Sequence, residues 1–240
     1  MICATWGESS SCAGRWWGKS EGIDPVQEED GFTRWIEACA AGEMLGIASA
    51  ALWWVTVDRF NPGFAGDWLL FVGKAAGGLA FGLVLGNLQS WALKRQFPAL
   101  HARQWVVATT FVSVALFAIA AWYAVFLPAD QQGLVPPVHT PFETAVTSAM
   151  FGLALGALLG IAQALVLRRA ARSSFWWILA SAIGWGAALP CIYLAASVGS
   201  SAPGSLEIAA RGVVGGVVSG VVLGTVTGLS FAVMRLRAPA

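Results

Sequence analysis

The chain has 240 residues, 57% of them hydrophobic and 11% charged, with 28 glycines and a mean hydropathy of +0.68. Soluble domains carry roughly a quarter charged residues, so this composition excludes one and points to a protein that crosses a membrane several times. A formal net charge of +1 also excludes the basic footprint that a nucleic-acid partner requires.

Residues 1–34 set Arg15 and Lys19 against Glu8, Glu21, Asp24, Glu28, Glu29 and Asp30 with no apolar period. That composition predicts an acidic, disordered cytoplasmic tail. No basic segment is followed there by an apolar run, so it is not read as a secretory signal. The four cysteines, Cys3, Cys12, Cys39 and Cys191, form no C-x-x-C pair, so neither a zinc site nor a redox motif is spelled.

From residue 35 to 240 the sequence predicts one all-α transmembrane domain. Six apolar stretches are placed near Trp35–Val57, Trp68–Trp91, Trp105–Leu127, Thr144–Leu167, Phe175–Val198 and Ile208–Met234, each long enough for a hydrocarbon core of roughly 30 Å. Basic residues collect after the second, fourth and sixth spans: Lys94, Arg95 and Arg103; Arg168, Arg169 and Arg172; Arg235 and Arg237. Only Arg59, Lys74 and Arg211 fall toward the opposite face, so the positive-inside rule places both termini in the cytoplasm. The protein is therefore expected in the inner (cytoplasmic) membrane of a bacterium. Trp35, Trp91, Trp105, Trp176 and Trp177 are expected at the inner interface, and Trp53, Trp54, Trp68 and Trp122 at the outer one, as an aromatic belt.

The even-numbered spans share a pattern. Gly78, Gly82, Gly86 and Gln89 precede Leu93-Lys94-Arg95; Gly152, Gly156, Gly160 and Gln163 precede Leu167-Arg168-Arg169; Gly216, Gly220, Gly224 and Thr227 precede Phe231 and Arg235. Glycine every fourth residue clears a strip of helix so that a neighbouring backbone can approach. Together with Trp35, Trp105 and Trp177 opening the odd spans, this predicts three parallel two-helix hairpin repeats, about 35–97, 105–171 and 175–237, packed through glycine zippers.

The Gly-x3-Gly-x2-Gln-x3-Leu-Arg-Arg signature, spelled from Gly156 to Arg169 and followed by a Trp-led span, resembles a group of bacterial multi-pass membrane proteins with repeated hairpins. The resemblance covers the six spans and brings no activity with it. Three tandem hairpins also resemble mitochondrial carriers in number, but the P-x-[DE]-x-x-[KR] motif of that family is missing and its function is not carried over.

Polar residues inside the spans are candidates for a ligand or ion site, because a charged group near the bilayer centre costs on the order of 3 kcal/mol on insertion scales. They are Glu43, Lys74, the Gln89, Gln163 and Thr227 level, and Trp185, whose indole N–H needs a partner in the bundle or a ligand. Glu43 and Lys74 are expected at different depths, with separate partners or a water between them. Glu207 and Arg211, at i,i+4, read as a structural pair. Pro190 removes a backbone donor from the fifth span and should kink it. His101 and His139 stand on opposite sides by this topology and accompany no nucleophile, and no phosphate-binding or dinucleotide motif is present.

These features predict no enzyme and no metal site, and leave the cofactor unknown. The first expectation is a non-catalytic accessory or assembly subunit or a lipid-binding scaffold, with the lipid bilayer, other membrane subunits, or a lipid or pigment as partners. The second is a small-solute or ion transporter using Glu43, Lys74 and the Gln89/Gln163/Thr227 level.

Overall fold

A computed structural model of the protein describes residues 25–59, 66–127, 140–199 and 203–236, without the side chains of 25–30 and 235–236. Six helices dominate it: α1 (Pro25–Arg59), α2 (Gly66–Gln96), α3 (Ala102–Phe126), α4 (Pro141–Leu167), α5 (Phe175–Ser197) and α6 (Ser205–Leu229). All six are long and apolar enough to cross a membrane. Even α5, with 23 residues, spans about 35 Å at 1.5 Å per residue. Phe111, Met150 and Leu206 are 74%, 65% and 86% exposed, an outer surface that lipid solvates and water does not. The chain is an all-α, multi-pass integral membrane protein.

Five of the six helices start before the expected residue, and only α5 begins where expected, at Phe175. α1 begins at Pro25, ten residues before the expected span. Proline suits a first helical turn, where its missing N–H would have no partner anyway. Residues 1–24 of the arm lie outside the described residues. α4 starts at Pro141 because Thr140 caps it: the Glu143 N–H donates to Thr140 Oγ1 at 3.3 Å and the Thr140 N–H to Glu143 Oε2 at 2.9 Å, a reciprocal capping box. α6 starts at Ser205 rather than Ile208. α5 stays helical through Pro190.

The helices form a closed ring in chain order, and neighbours alternate in direction. The closest pairs are α2 with α3, α4 with α5, and α6 with α1, whereas α3 and α4 share the thinnest interface. These pairs are offset by one helix from the hairpins 35–97, 105–171 and 175–237, and the third joins opposite ends of the sequence.

Glycine explains the three close pairs. A Cβ on Gly78, Gly82 or Gly86 would come within 2.5–3.1 Å of the α3 backbone at Ser113, Thr110 and Val106. Gly152, Gly156 and Gly160 lie equally close to α5 at Trp185, Ser181 and Ile178, and Gly216, Gly220 and Gly224 to α1 at Glu43, Cys39 or Ala40, and Ile36. In lipid no hydrophobic drive brings helices together, so backbone contact at this range supplies the packing that holds them.

At the end of the bundle where Lys94, Arg95, Arg168 and Arg169 collect, hereafter the basic end, a small antiparallel sheet ties two segments together. β1 (Ala171–Arg172) follows α4, and β2 (Arg235–Leu236) follows a single 3-10 turn at Ser230–Ala232. Ala171 pairs with Leu236 and Arg172 with Arg235.

Candidate functional site

The glycine contacts fix a common register. Trp35, Trp105 and Trp177 open the same stripe on α1, α3 and α5; one turn on come Cys39, Thr109 and Ser181, and one turn further Glu43, Ser113 and Trp185. All nine side chains are buried. On the even helices the facing levels are Gln89, Gln163 and Thr227, then Leu85, Leu159 and Leu223, which are buried as well.

Near the basic end these levels carry a hydrogen-bonded chain across two of the close pairs and a separate bond in the third. Trp177 Nε1 donates to Gln163 Oε1 at 2.9 Å, and Gln163 Nε2 donates to Thr109 Oγ1 at 3.0 Å and Gln89 Oε1 at 3.3 Å. Gln89 Nε2 reaches Cys39 Sγ at 3.8 Å. In the third pair Trp35 Nε1 donates to Thr227 Oγ1 at 2.9 Å. The rings close over these bonds: Trp177 meets Trp35 and Trp105 edge-on, each at 5.5 Å between centroids, and Phe231 stacks on Trp177 at 6.0 Å. Gln89 and Gln163 thus meet across the axis, and Thr227 joins the same level through Trp35 and the stacked rings. Their hydrogen-bonding groups are spent on one another, and aromatic rings fill the axis.

The aromatic belt is therefore corrected for three residues. Trp35, Trp105 and Trp177 are 0–1% exposed and point to the bundle axis. Trp91, Trp176, Trp53, Trp68 and Trp122 do face outward. Composition places tryptophan at the right depth but does not say which way it turns. The missed signal was a polar or small residue one turn after each inward tryptophan: Cys39, Thr109 and Ser181.

Lys74 belongs to the opposite end of the bundle. Its Nζ lies 2.7 Å from Asp58 Oδ1 and 2.9 Å from Oδ2, and 4.5 Å from the centroid of Trp54. Trp54 Nε1 in turn donates to the Lys74 carbonyl at 3.0 Å. Lys74 and Gln89 are separated by about 22 Å of α2 at 1.5 Å per residue, so they do not share a site. Asp58 lies on α1, which runs on to Arg59, and so comes within reach of the ammonium. At the same end Arg211 Nη2 and Glu207 Oε1 approach to 2.5 Å, and Arg211 Nη1 donates to the Ala196 carbonyl.

Glu43 stands between these two ends. It is fully buried, and neither carboxyl oxygen has a hydrogen-bond partner among the described residues. Its register mates differ: Ser113 Oγ donates to the Thr109 carbonyl at 2.8 Å, while Trp185 packs against Phe81 at 6.4 Å between centroids. Ser113 and Trp185 both line a cavity of about 260 Å³ whose other walls are mostly apolar, including Phe81, Leu116, Leu155, Leu159 and Leu189. Along the thin α3–α4 interface, toward the basic end, runs a second hollow, a groove of about 620 Å³. Among the described residues no three His, Cys, Asp or Glu side chains group so as to hold a metal ion.

Compared with protein-family models, curated proteins and solved structures, the chain shows no significant match to any of them.

Proposed function

We propose that the protein is a non-catalytic, lipid-binding scaffold of the bacterial inner membrane, with both termini in the cytoplasm and its helices arranged as three parallel repeats. The observation that carries this reading is the contrast within the bundle. The axis is filled at the basic end by Trp35, Trp105, Trp177 and hydrogen-bonded glutamines, whereas a groove along the loosely packed α3–α4 side and a cavity deeper in the bundle, lined from α1 to α5, have mostly apolar walls. An apolar, membrane-dissolved molecule suits such walls, and a hydrated solute does not. Repeats are supported by the recurring register of the glycine contacts, and orientation by the asymmetry of Lys and Arg.

The test is a native mass spectrum of protein gently extracted from its own membrane. Stoichiometric lipid, pigment or partner subunits are expected. A bare 25.1 kDa chain, or its homo-oligomer, overturns the scaffold.

One observation favours a second reading, a small-solute or ion transporter: the unpartnered Glu43 carboxyl. In that case Glu43→Gln abolishes flux into liposomes while the protein stays folded, and equal flux of variant and parent removes the reading.

A further inference from the structure

The groove beside α3 and α4 has a polarity gradient. On α3, Arg103, Val107 and Phe111 follow at four-residue intervals on one face, a cation and then apolar side chains. On the other wall Leu165 of α4 precedes Arg169, which lies two residues past the end of that helix, so both walls pass from apolar to cationic toward the basic end. Ala108 and Ala162 leave the space between them. Arg169 belongs to the rim because its Nη1 donates to Gln104 Oε1 at 2.9 Å, and Gln104 lines the groove. That bond ties a guanidinium to a neutral amide and leaves its charge uncompensated. Arg103 is exposed, and neither arginine has an ion pair among the described residues. No carboxylate lines the groove.

We infer that this groove seats one anionic phospholipid, its phosphate between Arg103 and Arg169 and an acyl chain along Val107, Phe111 and Leu165. Guanidinium groups offer paired N–H donors that match phosphate oxygens, and a leaflet supplies phosphate and chain joined at the depth where the rim meets the walls. The inference rests on the lipid-binding reading and adds the headgroup class and the position.

A preference of about fivefold for each arginine, roughly 30-fold for two, follows from the usual attraction of a basic residue to an anionic membrane surface. The test uses the full chain in a neutral detergent, titrated with phosphatidylglycerol or phosphatidylcholine of identical chains and read by native mass spectrometry. The parent is expected to retain phosphatidylglycerol about 30-fold better. Arg103→Gln/Arg169→Gln is expected to bind both lipids alike, and Arg168→Gln/Arg172→Gln, the same charge removed beside the groove, to keep the preference. If the double variant fails to fold, Arg103→Gln alone, which loses no hydrogen bond to a described residue, should show a fivefold drop.

Equal retention of both lipids by the parent overturns the anionic site and leaves the lipid-binding reading intact. Retention of neither overturns both. An equal fall in the control variant replaces the groove with a general basic surface. Displacement of phosphatidylglycerol by millimolar inorganic phosphate shows that the arginines take free phosphate, which overturns the lipid assignment.

Discussion

The basic end of the bundle and its middle are built on the same helix register and have opposite polar chemistry. Near the basic end, Gln89, Thr109, Gln163 and Trp177 exchange hydrogen bonds with one another and exclude further partners. One to two turns deeper, the equivalent positions carry Glu43, Ser113 and Trp185, and only Ser113 has a hydrogen bond to another described residue. A shared helix register therefore does not impose shared chemistry. Where the side chains complement one another the level locks, and where they do not the bundle keeps a buried carboxyl without a partner among the described residues.

The largest expected effect breaks the frame shared by both regions. Gly156→Leu or Gly220→Leu drives a side chain into the backbone of α5 or α1, and overpacking of this kind costs about 3 kcal/mol or more. Thermal unfolding in detergent measures it, with Gly204→Ala as control, since nothing lies within 4 Å of an added Cβ there. Unchanged stability of both leucine variants would refute close backbone packing.

Next, substitutions that remove a polar group should have opposite signs in the two regions. Gln163→Leu loses bonds to Trp177, Thr109 and Gln89 and is expected to cost about 2 kcal/mol, at somewhat under 1 kcal/mol per interhelical bond. Glu43→Leu removes an unpartnered carboxyl and is expected to stabilise by about 1–3 kcal/mol. Urea-independent thermal melts of the two variants in one detergent give both signs, and a destabilised Glu43→Leu would mean that the carboxyl has a partner in the membrane.

The smallest expected difference lies among the three inward tryptophans. Trp177→Phe leaves Gln163 Oε1 without its donor and should cost about 1 kcal/mol beyond the change in ring size. Trp105 Nε1 has no partner among the described residues, so Trp105→Phe should not carry that added cost. Equal losses would erase the distinction between the three helix pairs.

Much of this frame was legible in the sequence, because length, hydropathy and glycine spacing are local quantities. Six spans, nine glycines and the basic clusters follow from them. What depended on rotation or pairing was not legible. The Trp35, Trp105 and Trp177 side chains turn inward, which their depth alone does not dictate. The glycine face of each even helix meets the odd helix that follows it, and for α6 it returns to α1; no periodicity specifies that choice. Asp58 reads as a loop residue until α1 is seen to reach Arg59, and only then does Lys74 acquire its partner. The Thr140–Glu143 pair is spelled in the sequence, but it acts as a capping box only because α4 starts at Pro141 rather than at Thr144.

The pairing of α6 with α1 also bears on the order of biosynthesis. α6 is the last of the six helices to leave the ribosome, so the α1 face that receives Gly216, Gly220 and Gly224 waits uncovered while five helices enter the bilayer. During that interval the backbone of α1 at Glu43, which Gly216 later covers, has no helix against it. The start of α1 and the end of α6 finish side by side, with Phe32 against Gly228. A chain reopened between α1 and α2, with the end of α6 linked to the start of α1, would synthesise that glycine pair consecutively and leave the α1–α2 contact as the last to close.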